Sequence, residues 1–137
     1  MVGILAGIVA LCGGGGYLAF RTGVPSGADA ERAFRPKVEA ALRARTPAEL
    51  NAHFAPEFRS SETAAKIFLE QTRAKLGRVQ SVRLREVLGF RTYRGVPSYD
   101  LVTAEYNVAG DRGTLSFRAT ARKDGGRPWT LFRLDPL

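Results

Sequence analysis

"KLGRVQSVRLREVLGFRTY", residues 75–93, holds the change of period that decides the fold. Up to Leu76 the spacing is helical, with Ala65, Phe68, Leu69, Thr72 and Leu76 on one buried stripe. Gly77 supplies a left-handed stop. Beyond it the period falls to about two: Val82, Leu84, Leu88 and Phe90 share one face, Arg83, Arg85 and Arg91 the other. Strict alternation also puts Glu86 on the apolar face, where burial would raise its pKa and suit it to general-base work. A bulge near Gly89 would instead turn Glu86 outward toward an arginine.

Upstream of this junction the chain is helical. "SSETAAKIFLEQTRAKLG" opens on a Ser60 or Ser61 cap. "TPAELNAHF", residues 46–54, has the capping box of Thr46 and Glu49, with Pro47 at the first helical position. Leu50 and Phe54 share its inner face and His53 lies at the edge of that stripe. "ERAFRPKVEAALRAR", residues 31–45, spaces Phe34, Val38, Ala41 and Leu42 helically. Because proline suits a first turn, Pro36 predicts a regular helix beginning near Arg35.

Downstream the chain reads as strands. "SYDLVTAEYNVAG" is followed by the tight turn "GDRG" and then by "TLSFRATARK". In this last segment Leu115, Phe117, Ala119 and Ala121 alternate with Thr114, Ser116, Arg118 and Arg122. "WTLFRLDPL", residues 129–137, closes the chain and is apolar on both sides, Trp129 and Leu131 against Phe132 and Leu134. Three helices cover only one face of a sheet. The second face therefore predicts a protein contact, with Trp129 and Leu131 as candidate apolar anchors and Arg83, Arg85 and Arg118 at its rim.

The first twenty residues, "MVGILAGIVALCGGGGYLAF", contain no charged side chain and, as a helix, rise roughly 30 Å, enough to cross a bilayer. They are expected to form a retained transmembrane anchor over residues 1–21, with Gly3, Gly7, Gly13 and Gly14 as small residues for helix packing. A cleaved signal peptide lacks its basic start here, and lipid attachment at Cys12 lacks the small residue before the cysteine. Residues 22–29 read as a linker and 30–137 as the folded domain. The basic residues Arg21, Arg32, Arg35 and Lys37 follow the span, which favours a cytoplasmic domain, although long domains translocate regardless of charge.

Charge and composition narrow the function classes. The net charge is +8, carried mainly by arginine, which implies anionic neighbours, phospholipid or nucleic acid, or simply arginine-rich codon usage. One cysteine and one histidine give no disulfide and no metal spacing. "GGGG" lacks the lysine of a phosphate loop, and no serine sits in a nucleophile elbow. Nucleic acid is disfavoured, because Tyr93 is the main aromatic interleaved with the strand-one arginines.

The order of elements predicts an α+β fold: an N-terminal transmembrane helix, then three helices packed on a curved four-stranded antiparallel sheet. With "KLGRVQSV" and "KDGGRPWTLFRLD", over Ala30 to Pro136, it resembles the nuclear-transport-factor-two-like, or cystatin-like, superfamily. The resemblance is nearest to small bacterial exported or anchored proteins of that fold, and implies a domain on the extracytoplasmic, periplasmic side of the cytoplasmic membrane. Enzymes of the superfamily, such as ketosteroid isomerases and scytalone dehydratases, place acids, histidine and tyrosine in the cone between sheet and helices. Here that implies His53, Glu86, Tyr99, Asp100, Glu105 and Tyr106, with Glu86, His53 and Tyr106 as the candidate pocket. These residues make no convincing catalytic set, and neither cofactor nor metal is expected. The expectation is a non-enzymatic, membrane-anchored binding or assembly module, an accessory subunit with a membrane-protein partner or a second copy of itself. The alternative is a small-ligand-binding or enzymatic pocket protein of the same fold.

Overall fold

Helix α1, Gly27–Leu42, lays Ala30, Phe34, Val38, Ala41 and Leu42 along one side in the computed structural model of this chain, which describes residues 27–137. It starts earlier than the proline predicts, inside the stretch expected to be linker, and runs straight past Pro36. A proline deprives the carbonyl four residues back of its donor. Here that carbonyl belongs to Arg32, and both Arg32 and Pro36 are exposed, so water can take the missing place.

Helix α2, Pro47–Asn51, begins as expected, with Thr46 Oγ1 accepting from Glu49 N at 3.2 Å. Residues 53–55 then run beside the closing strand, with Leu131 N donating to His53 O at 2.9 Å and Ala55 N to Leu131 O at 3.2 Å. A 3-10 turn, Pro56–Phe58, leads to α3, Glu62–Leu76, which Ser61 caps and Gly77 ends at φ +69°.

Strands β1 (Val79–Tyr93), β2 (Tyr99–Gly110), β3 (Thr114–Lys123) and β4 (Thr130–Pro136) form an antiparallel meander in sequence order. One face, with Val102, Ala104, Tyr106, Val108, Phe117, Ala119, Ala121, Leu131 and Leu134, is buried in the core shared with α1 and α3. Full burial of a side chain such as Phe34 or Phe117 is worth about 1.5–3 kcal/mol.

Two strands depart from simple alternation. In β1 the register slips between Val79 and Ser81, between Leu84 and Glu86, and again between Val87 and Gly89. The slip after Leu84 flips the phase, so that Val87 packs on the core, and the slip after Val87 restores it for Phe90; Leu84, opposite buried Tyr106, and Leu88 stay substantially exposed. In β4 the slip admits Phe132 as the extra residue, so that Leu131 and Leu134 both face the core, opposite Ala121 and Ala119. The apparent second apolar face of β4 is therefore a bulge. Its one outlying side chain, Phe132, is covered by Phe58 of the 3-10 turn, with ring centroids 4.1 Å apart.

The expected architecture is corrected at its N-terminal end. It set a membrane helix ahead of three others, but among the described residues there are only three α-helices and none is long and apolar enough to cross a membrane. Residues 1–26, including Gly3, Gly7, Gly13 and Gly14, lie outside the described residues.

Candidate functional site

The helices and sheet share a core of buried side chains, and the three residues of the expected pocket are dispersed. The β1 slip between Leu84 and Glu86 turns Glu86 onto the outer sheet face, where it is exposed opposite Glu105. His53 is half-buried at the β4 edge, where its backbone carries the bridge to Leu131; burial, helped by Lys37, pushes its imidazole pKa down. Only Tyr106 points inward, fully buried on β2. Of the other acids and tyrosines, Asp100 accepts from Thr92, and Tyr99 stacks on Tyr93 beneath the guanidinium of Arg122. Among the described residues no three His, Cys, Asp or Glu side chains are grouped to hold a metal.

The hydroxyl of Tyr106 meets a carboxylate that the sequence did not single out. Glu31 lies on the buried stripe of α1 with no exposed surface. Tyr106 OH donates to its Oε2 at 2.7 Å, and Arg35 donates to both oxygens, Nε at 2.7 Å and Nη2 at 2.5 Å. Burial alone would raise this carboxyl; the hydrogen bonds from Arg35 and Tyr106 outweigh it and hold Glu31 below the usual carboxylate range. The same burial and bond push the Tyr106 phenol well above its ordinary value. An ionised carboxylate with all its donors in place, shut away from any ligand, is a structural network.

The expected interface is corrected in the same way. Trp129 and Leu131 belong to the core, Trp129 with its ring 5.9 Å from Phe34. Arg83, Arg85 and Arg118 do lie on the exposed sheet face, but Trp129 and Leu131, the apolar centre they were to surround, are on the other side. Glu105 occupies that face instead, nearly buried, with Arg118 Nη2 at 2.6 Å and Arg85 Nη1 at 3.8 Å. A recess beside them is bounded by Asn107 and Ser116, whose side chains bond each other, and by Leu137, whose N–H bonds to the Ser116 carbonyl. Those polar groups are already engaged.

A different concavity remains, at the C-terminal ends of α1 and α3. It encloses about 480 Å³ and is bounded by Leu42, Ala44, Leu69 and Val79 beneath, with Arg43, Arg45, Arg73, Arg78 and Arg112 around it. All five arginines are exposed. Among the described residues, ion pairs engage Arg32, Arg35, Arg85, Arg118, Arg122 and Arg133, and none of these five. Arg43 and Arg73 sit where helix carbonyl ends favour a cation. Arg45, Arg78 and Arg112 stand outside the helices and have no such reason.

The backbone beneath these arginines is fixed. The β2–β3 turn docks on the end of α3: Arg112 N donates to Leu76 O at 2.9 Å and Asp111 N to Arg78 O at 3.1 Å. Asp111, the one acid of the pocket wall, accepts from Arg78 N at 2.9 Å. The approach is so close that a methyl group on Gly110 would lie 2.0 Å from the Leu76 carbonyl oxygen. On the far side, Glu49 Oε1 accepts from Arg45 N at 2.9 Å.

Compared with protein-family models, curated proteins and solved structures, the chain has no match in any of the three.

Proposed function

We propose that this chain is a non-enzymatic binding module whose ligand is an anion, held in the arginine pocket at the ends of α1 and α3. One observation carries the reading: five arginines line one pocket, none of them is in an ion pair among the described residues, and Asp111, the acid of the wall, accepts from the Arg78 backbone N–H. Arginine offers a planar fork of donors that suits carboxylate and phosphate, so a cluster of unspent forks favours an anionic occupant. Dispersal of Glu86, His53 and Tyr106 supports binding over catalysis. The burial of Trp129 and Leu131 shifts the weight of the binding reading from the outer sheet face to this pocket.

The test is a titration of the full-length chain with inorganic pyrophosphate, followed by amide shifts. Saturable shifts are expected at Arg43, Arg45, Arg78 and Arg112. They should disappear in an Arg78→Gln/Arg112→Gln variant and survive in an Arg83→Gln/Arg91→Gln variant of the sheet face. Shifts that survive neutralisation of the pocket, or that are lost with the sheet-face pair, would defeat the proposal.

A further inference from the structure

The arginines form only the rim of the pocket. Its more buried lining is mainly aliphatic, Leu42, Ala44 and Leu69 with half-buried Val79 and one polar neighbour, Thr72, and among the described residues no aromatic ring borders it. Resting on the anion reading above, we infer that the ligand is an alkyl phosphate: a phosphate group met by the arginines, joined to an aliphatic stem lying on Leu42, Ala44, Leu69 and Val79.

Three features select this class. A carboxylate offers two oxygens and one charge, which a single arginine fork satisfies. A phosphate monoester offers three terminal oxygens and up to two charges, and so engages several of the five forks at once. A nucleotide would bring a base that stacks best on an aromatic ring, and among the described residues the pocket wall supplies none. An aliphatic stem, by contrast, gains from the base of the pocket by leaving water. A volume of about 480 Å³ suits a small organic molecule, and it exceeds what a lone inorganic anion fills.

The experiment compares inorganic phosphate, butyl phosphate, hexyl phosphate and hexanoate as ligands of the full-length chain by calorimetry. Affinity should rise from inorganic to butyl to hexyl phosphate, by about fourfold for each methylene that the pocket buries. Hexanoate should bind more weakly than hexyl phosphate. Val79→Thr should reduce the gain in affinity from butyl to hexyl phosphate, whereas Arg45→Gln/Arg112→Gln should weaken every phosphate alike. Competition identifies the source of the ligand: phosphatidylcholine vesicles containing phosphatidic acid, but not phosphatidylcholine alone, displace hexyl phosphate if it is a membrane lipid, and neither does so if it is a soluble ester. If inorganic phosphate binds through the arginines and the alkyl stem adds nothing, the alkyl inference is overturned while the anion reading stands. If neither phosphate nor its esters respond to the arginine substitutions, both fall.

Discussion

Glu31 is a fully buried carboxylate, tolerable only because both oxygens have donors. Tyr106→Phe deletes one charge-assisted hydrogen bond and should cost about 1.5–3 kcal/mol in urea unfolding at neutral pH. Its pH dependence is the sharper check. The Glu31 pKa is raised by burial but lowered further by Arg35 and Tyr106, and ends below its unfolded value. Its contribution is therefore complete above the unfolded carboxylate pKa and is lost as the pH falls through the folded one. His53, held down by burial and Lys37, loses stability in the same direction at higher pH, below its unfolded value of about 6.5. Without the Tyr106 hydroxyl the folded pKa rises toward the unfolded one, so the Glu31 portion of the acid loss should be smaller and should end at a higher pH than in the wild type. Identical acid profiles for the two proteins would show that the bond does not hold the carboxyl ionised. Tyr106 was legible as an inward residue of an alternating strand. Glu31 was not, because a glutamate in a helix ordinarily faces water and its partner lies 75 residues along the chain.

At the level of elements, the β2–β3 turn and the end of α3 act as one piece, and Gly110 is where they touch. Gly110→Ala pushes a methyl group onto a backbone oxygen that cannot yield. The turn should lift from Leu76 and Arg78, with a loss of about 1–3 kcal/mol and weaker pyrophosphate binding, because Arg78 and Arg112 lose their common support. Gly126→Ala, in the β3–β4 turn with open space around it, is the control and should stay within about 0.5 kcal/mol of wild type. Equal urea midpoints for the two variants would separate the turn from the pocket. The elements themselves were legible: the Thr46 and Ser61 caps, the Gly77 stop and all four strands carry local signals. The bulges of β1 and β4 were not. A register slip is decided by the partner strand, and the side chains of Glu86, Val87 and Phe132 read the same with or without it. That is why strict alternation sent Glu86 inward and gave β4 two apolar faces.

For the whole molecule the decisive quantity is how a net charge of +8 is distributed. The arginine pocket was illegible in the sequence because its five arginines come from four separate places: the chain after α1, the last turn of α3, the start of β1 and the β2–β3 turn. No window of the sequence brings them together; the docking of the turn on α3 does. Assembling like charges around one cavity opposes folding through self-repulsion, a cost borne by the empty protein and relieved by an anion. Arg45→Gln/Arg112→Gln should therefore stabilise the chain in urea at low ionic strength, by up to about 1 kcal/mol, the scale of surface-charge optimisation. The advantage should shrink as salt approaches 0.15 M, where the screening length is about 8 Å. Sulfate at matched ionic strength should raise the wild-type midpoint more than chloride does, and this excess should be smaller in the double variant. The opposite result, a variant no more stable than wild type at low salt and equally responsive to sulfate, would mean that the arginines are dispersed into solvent. The pocket would then be a recess with a charged border, holding nothing.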